Sequence, residues 1–193
     1  MNRKTTQNLL PLKKDNIRSN THEIYPSFPV GKRKIYIGYE KLAEELTVHK
    51  TVILDGFIGV DWDEIQRELG RLFQIEGLTV NFFKIKDCLK SEKIIQTLVE
   101  PFLGGDDPIF GRKTSLSITE YFDDCKISNI KLDENVDINI IYGTGASQSN
   151  IKGQLVYFDL PKNELQFRMR ANSISNLGFN SPKNHKEMYK HFY

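Results

Sequence analysis

Residues 51–65 read TVILDGFIGVDWDEI, and this stretch decides the fold class. The apolar, mostly β-branched run 51–54 is typical of a strand buried on both faces of a parallel sheet. Asp61 follows a glycine-containing loop and is suited to cap a helix, and Glu64 three positions later is suited to complete a capping box. A buried strand, a loop and a capped helix form the first half of a β-α-β unit.

The same alternation of strands and helices continues along the chain. Apolar residues at helical spacing predict helices within 39–46, 95–102 and 118–125. Apolar runs predict further strands at 34–37, 78–85, 136–142 and 154–160. This order predicts an α/β fold with an open, mostly parallel sheet and helices on both faces.

Residues 161–170 fit two patterns. Leu165, Phe167 and Met169 alternate with a period of two, as in a strand. Pro161 suits the first turn of a helix, and Glu164 and Arg168 would pair across one helical turn. We expect a helix here.

Length and composition indicate a single folded domain. The chain has 193 residues, of which 39% are hydrophobic, and a net charge of +2. This charge argues against a protein that holds nucleic acid over its whole surface. No apolar run approaches the ~20 residues of a membrane span, and the polar start lacks a signal-peptide core. We therefore expect a cytoplasmic protein without membrane or nucleic-acid partners.

Charge is concentrated at the start of the sequence. Residues 1–34 hold eight basic and two acidic residues, a local charge of +6, which leaves −4 for the rest. Three prolines and the lack of any period predict a basic extended arm over 1–33, followed by one α/β domain over 34–193. The arm is either a solvated strap or a segment that docks onto an acidic partner.

In open α/β sheets, ligands bind at the carboxyl ends of the strands, which directs attention to the loops 55–61, 104–113 and 142–150. A phosphate-binding P-loop needs glycines and a lysine, yet residues 51–83 contain no lysine. Instead, three carboxylates lie at the helix start and would repel a triphosphate: Asp61, Asp63 and Glu64. They are helix-stabilising acids or, as the alternative, a magnesium site.

The loop after the strand 136–142 contains Gly143, Thr144, Gly145 and Ser147. Successive backbone N–H groups of such a loop are able to form an anion-binding nest, assisted by the two hydroxyl groups. An ordinary turn is the alternative interpretation.

Two aspartates end strands near these loops and complete the candidate ligand-binding set: Asp55 and Asp159. An aspartate at this place resembles the second phosphate-site motif of P-loop enzymes, although Asp159 also suits a cap for the following helix. The segment 104–113, GGDDPIFGRK, is either a lid that carries cations or a solvated turn with Phe110 against the core. We expect Cys88 and Cys125 to be small buried residues.

Several segments together resemble a known family: EIYPSFPV, TVILDGFIGVDWDEI, DDPIFG, SLSITEYFDD, IIYGTGAS, LVYFDLPKNELQFRMR and SNLG. They are similar to the amino-terminal region of Bacteroidetes-type class I mannose-6-phosphate isomerase-like proteins. The resemblance covers nearly the whole chain from about Tyr25 onward. It implies a kinase-like α/β domain with a degenerate P-loop, placed before a cupin-type isomerase domain.

The sequence departs from the family in its catalytic signature. The zinc of the isomerase reaction is held through a Gln-x-His motif of the cupin part, and this motif does not occur here. The resemblance therefore implies no zinc or other cofactor in this segment, no catalytic or metal-ligating residue, and a downstream isomerase domain as the partner. Positioning, regulation or binding of a small anion are the implied roles.

Two other functions stay open at the level of sequence. A phosphotransferase would use 143–147 as the phosphate cradle, Asp55 or Asp159 for magnesium, and Arg168 or Arg170 to stabilise charge. A pure interaction module would instead use its basic arm to dock onto an acidic surface.

Overall fold

The computed structural model describes residues 31–107 and 111–191. The chain divides into two units after Gly38. Of the predicted arm, residues 1–30 lie outside the described residues, as does Phe110 of the predicted lid. The second unit, from Tyr39 onward, contains all the helices and strands given below.

The described part of the chain forms one four-stranded sheet in which every pair of neighbouring strands is parallel. Its strands are β1 (Thr51–Gly56), β2 (Val80–Lys84), β3 (Ile138–Tyr142) and β4 (Gln154–Phe158). The order across the sheet is β2-β3-β1-β4. The open, parallel α/β architecture predicted from the sequence is thus the one observed.

Six α-helices accompany these strands in the described residues: α1 (Glu40–Leu46), α2 (Trp62–Ile75), α3 (Glu92–Val99), α4 (Asp124–Ser128), α5 (Lys162–Arg170) and α6 (His185–Lys190). Shorter 3-10 segments lie at Ile85–Cys88, Glu100–Phe102, Ile118–Tyr121 and Ala146–Ser149. Asp61 caps α2 as expected, since its side chain accepts the Glu64 N–H at 3.0 Å.

Helices cover both faces of the sheet because successive strand residues point to opposite sides. On one face, Val52 and Leu54 of β1 pack with the apolar sides of α1 and α2. On the other face, Ile53 and its neighbour Ile141 pack with α3 and with Phe122. The alternation along β1 therefore divides the interior into two layers.

A third, smaller cluster lies beyond the end of β4. Leu165 and Met169 of α5 pack with Met188 of α6, and Phe57 and Val60 from the loop after β1 close the cluster. Residues 161–170 are thus helical, as expected, and Arg168 Nε lies 3.1 Å from Glu164 Oε1 across one turn. This helix brings its basic residue back toward the end of β1.

Two predicted elements differ in the structure. Residues 34–37 form no strand and pair with no strand of the described chain. They lie between Arg33 and Gly38, whose backbones are both left-handed, which leaves too short an extended segment for a strand. The helix expected within 118–125 is broken at Phe122, which is extended, with ψ 154°, and buried. Burying this ring takes precedence over helix continuity, and Asp123 caps the new helix α4.

Candidate functional site: the crevice between the first and third strands

The crevice that usually binds ligands in an open α/β sheet lies between β1 and β3. These strands are neighbours, with Leu54 in register with Tyr142. The segment after β1 leads to α2 on one face, whereas the segment after β3 places Ala146 in the core of the other face. Diverging connections of this kind open a crevice at the carboxyl edge of the sheet.

The carboxylate of Asp55 occupies this crevice. Asp55 is the penultimate residue of β1 and is only 8% exposed. Its Oδ1 accepts hydrogen bonds from the N–H groups of Gly56 and Gly145, both at 2.7 Å. Its Oδ2 accepts the Ser147 N–H at 3.0 Å and the Ser147 hydroxyl. The backbone donors predicted to bind an external anion thus bind an internal one.

A second set of contacts holds the two loops together. The Thr144 hydroxyl donates to the carbonyl oxygen of Phe57 at 3.3 Å, and the indole Nε1 of Trp62 donates to the Thr144 oxygen at the same distance. The loop after β3 is therefore tied both to the loop after β1 and to the first residue of α2. These contacts close the crevice from the side of α2.

The backbone of the loop requires glycine where it turns. Gly145 has φ +86°, and a Cβ there would lie 2.6 Å from Cζ of the buried Phe122 ring. A side chain would meet both a strained conformation and a fixed aromatic ring. Ala146–Ser149 form only one 3-10 turn, so the loop is not followed by an α-helix that would add a dipole. The nest therefore consists of local donors, namely the N–H groups of Gly145 and Ser147 and the Ser147 hydroxyl.

The acidic residues at the start of α2 also have partners within the chain. Asp61 caps the helix, and Asp63 forms a 2.6 Å ion pair with Lys84, the last residue of β2. Burial alone would lower the pKa of Lys84, but the hydrogen bond and charge of Asp63 outweigh burial and raise it. The ion pair therefore joins the end of β2 to the start of α2.

The remaining predicted residues make their hydrogen bonds with other groups. Asp159 does not cap α5; Pro161 is the capping residue, and the Asp159 carboxylate accepts the N–H of Leu160 at 2.8 Å. Arg168 donates to the carbonyl oxygen of Gly59 at 2.8 Å. The hydrogen bonds therefore join Asp55, Gly145 and Ser147, with Thr144 beside them, whereas Asp159, at the end of the neighbouring strand β4, accepts from its own backbone neighbour.

The sequence did not reveal which group would fill the nest. Asp55 and Gly145 are 90 positions apart, and only the pairing of β1 with β3 brings them together. The expectation for the cysteines held for Cys88, which is buried, and was wrong for Cys125, which is exposed. Burial raises the pKa of the Cys88 thiol, whereas Cys125 lies on the outer side of α4.

Across residues 31–107 and 111–191, no group of three or more His, Cys, Asp or Glu side chains is arranged to hold a metal ion. None of the helices in these ranges combines the length and the apolar character that crossing a membrane requires.

Comparison with known proteins identifies the family but no function. The model of a domain of unknown function, DUF8485, matches residues 38–193, and the chain belongs to this family. No curated protein and no solved structure matches the chain. The match begins at Gly38, one residue before the second structural unit begins at Tyr39.

Proposed function

We propose that this DUF8485 domain is the non-catalytic amino-terminal domain of a mannose-6-phosphate isomerase-like protein. In this proposal the domain is a kinase-like scaffold that has lost nucleotide binding, acts in the cytoplasm, and positions a downstream isomerase domain that holds the zinc. One observation carries the proposal: the carboxylate of Asp55 accepts four hydrogen bonds at the place where a phosphate would bind.

Electrostatics supports the loss of phosphate binding. A phosphate oxygen about 5 Å from the Asp55 carboxylate would be repelled by roughly 3 kcal/mol at an effective dielectric of 20. The same phosphate would find the N–H groups of Gly145 and Ser147 already engaged. Binding would thus require the Asp55 carboxylate to leave a site in which its charge is stabilised by four donors.

The geometry gives less support to a phosphotransferase. Of its two alternative magnesium ligands, Asp55 is engaged by the donors of Gly145 and Ser147, and Asp159 accepts the N–H of Leu160. Its proposed cation, Arg168, is engaged with Glu164 and Gly59. Several groups that a phosphoryl-transfer site would use are therefore already hydrogen-bonded within the chain.

A positioning role is supported by the edge strand β4. Leu155 and Tyr157 lie on the same side of this strand and are 51% and 61% exposed. Their neighbours Val156 and Phe158, which point to the other side, pack on the core. An apolar strip at an open sheet edge is suited to contact with another domain.

The loss of nucleotide binding is tested with the present chain. Isothermal titration with ATP and Mg²⁺ should give no binding heat, and the chain should not convert mannose 6-phosphate. Micromolar ATP binding that Ser147→Ala weakens would contradict the proposal, as would measurable isomerisation. Ser147→Ala is preferable to a change of Gly145, since any side chain at Gly145 would clash with Phe122.

The positioning role needs a separate measurement. The chain is mixed with the downstream isomerase domain expressed on its own, and association is followed by titration. Tyr157→Ser should weaken binding at least fivefold, whereas Ile75→Ser, at a residue that is 67% exposed at the end of α2, should leave it unchanged. Equal effects of the two changes, or no association, would contradict the proposed role of β4.

A further inference from the structure

A cavity of about 200 Å³ lies at the carboxyl ends of β1 and β4. Phe57, which follows β1, and Asp159, which follows β4, both line it. The Phe57 N–H donates to the carbonyl oxygen of Phe158 at 2.9 Å, so the pairing of the two strands continues to this point. Helices α5 and α6 supply the rest of the wall. The cavity therefore lies at the edge where open α/β sheets usually bind ligands.

Most of the wall is apolar. Leu160, Leu165 and Met169 are buried residues that line the cavity, and Phe57 and Tyr189 add two aromatic side chains. Aromatic rings and a thioether both make favourable contacts with a further aromatic ring. The volume agrees, since apolar protein cavities of about 150 Å³ accept benzene. This part of the wall therefore suits the ring of an aromatic ligand.

Two opposite charges line the same cavity. Among the described residues of its wall, the charged ones are Asp159 and Lys162. Both are exposed to solvent, so a ligand that lies in the cavity can reach them. The Asp159 Oδ1 accepts the N–H of Leu160 at 2.8 Å, and a carboxylate keeps further lone pairs for a second donor. The Lys162 ammonium has three donors and is able to bind a ligand carboxylate in addition to partners within the chain.

The two formal charges of the wall cancel, which selects the charge of the ligand. A ligand with a single charge would be attracted by one of the two residues and repelled by the other. A ligand that carries both an ammonium and a carboxylate group would be attracted by both, through charge-assisted hydrogen bonds. Together with the apolar part of the wall, this arrangement favours a zwitterion with an aromatic side chain.

We propose that this cavity binds an aromatic α-amino acid. Its ammonium group contacts Asp159, its carboxylate contacts Lys162, and its ring lies against Phe57 and Met169. The inference is independent of the proposed loss of nucleotide binding, because Asp55 does not line this cavity.

The test uses the wild-type chain and three probes that share a phenyl ring. L-Phenylalanine carries both charged groups, 3-phenylpropanoate lacks the ammonium, and 2-phenylethylamine lacks the carboxylate. Binding is followed by changes in the ¹H–¹⁵N spectrum during titration, with attention to the side-chain amide of Gln166, which also lines the cavity. We expect L-phenylalanine to bind with a dissociation constant of about 1 mM or lower, and each of the other probes at least fivefold more weakly. Equal affinities, or no binding of L-phenylalanine, would overturn the proposal.

Variants assign each charged group to its partner. Asp159→Asn keeps the size of the side chain and should weaken the binding of L-phenylalanine at least fivefold, without weakening that of 3-phenylpropanoate. Lys162→Gln should weaken the binding of L-phenylalanine to a similar degree, without weakening that of 2-phenylethylamine. Asp124→Asn removes a charge from an exposed position of α4 and should leave all the affinities unchanged.

A purely structural effect of Asp159→Asn would lower the affinities of L-phenylalanine and 3-phenylpropanoate by the same factor, and that result would overturn the proposal. Unchanged binding of L-phenylalanine to Asp159→Asn would overturn it as well. If a variant does not fold, the comparison of the three probes on the wild-type chain still decides.

Discussion

At the scale of single residues, Asp55 links two loops that are far apart in sequence. Hydrogen bonds to a carboxylate are stronger than those between neutral groups, and four of them meet here in a buried place. The role of Asp55 is therefore measurable as stability. If Asp55 instead served in phosphoryl transfer, its replacement would be expected to lower the turnover rate rather than the stability.

We predict that Asp55→Ala lowers the free energy of unfolding by about 2–4 kcal/mol, because buried donors of Gly145 and Ser147 lose their acceptor. Asp159→Ala is the matched control at the end of β4. Its carboxylate accepts only the N–H of Leu160 among the hydrogen bonds described above, so its loss should cost less than about 1.5 kcal/mol. Urea denaturation measures the free energy of unfolding of both variants. Equal losses in the two variants would show that Asp55 does not stabilise the loops.

At the scale of elements, hydrogen bonds between β2 and β3 extend beyond the strand ends. Asp137 precedes β3, and its carboxylate accepts both the hydroxyl and the N–H of Thr79, which precedes β2, at 2.7 Å. These hydrogen bonds lower the pKa of Asp137 below its ordinary value of 3.8, and the hydrogen bond from the Thr79 hydroxyl has the larger effect. The contact fixes the register with which the two strands enter the sheet.

A pH dependence follows from this lowered pKa. A carboxyl group with a depressed pKa in the folded state stabilises the protein above pH 3.8 and loses this effect as the pH falls through the folded value. We therefore expect Thr79→Val to lower the melting temperature at pH 6, and the difference from the wild type to shrink below pH 3.8. Thr79→Ser keeps the hydroxyl and should retain the wild-type dependence. A difference that does not vary with pH would contradict this account.

Most elements were predictable because their signals are local. The apolar run of β1 and the cap of α2 lie within 15 residues, and both appear as expected. Phe122 was not predictable from spacing, since its extended conformation depends on a core built by β3 and α3. The contact of Asp55 with Gly145 depends on strand order, which the sequence pattern leaves open. The candidate site could therefore be identified only once the strand order was known.

At the scale of the whole molecule, the sheet has a well-protected centre and weaker edges. β1 and β3 each have a strand on both sides, and their side chains are almost all buried. Among the described strands, β4 pairs with β1 alone, and its Gln154, Leu155 and Tyr157 are exposed. Local opening costs more free energy where backbone hydrogen bonds are buried on all sides.

We expect hydrogen exchange to follow this arrangement. Amides of β1 and β3 should exchange only through global unfolding, whereas those of β4 should exchange at least tenfold faster. Mass spectrometry of proteolytic peptides after timed labelling in D₂O gives the comparison. Equal protection of β3 and β4 would mean that the exposed edge is covered in solution, for example by association between chains.

The strand order has a consequence for synthesis on the ribosome. Among the described strands, β1 and β2 come first in sequence, yet they are not neighbours in the sheet, because β3 lies between them. A nascent chain that ends before Ile138 therefore contains two of the four described strands, and these two do not pair with each other in the folded protein. The sheet begins to form only when β3 leaves the exit tunnel, and until then the apolar runs of both earlier strands have to be kept from other chains.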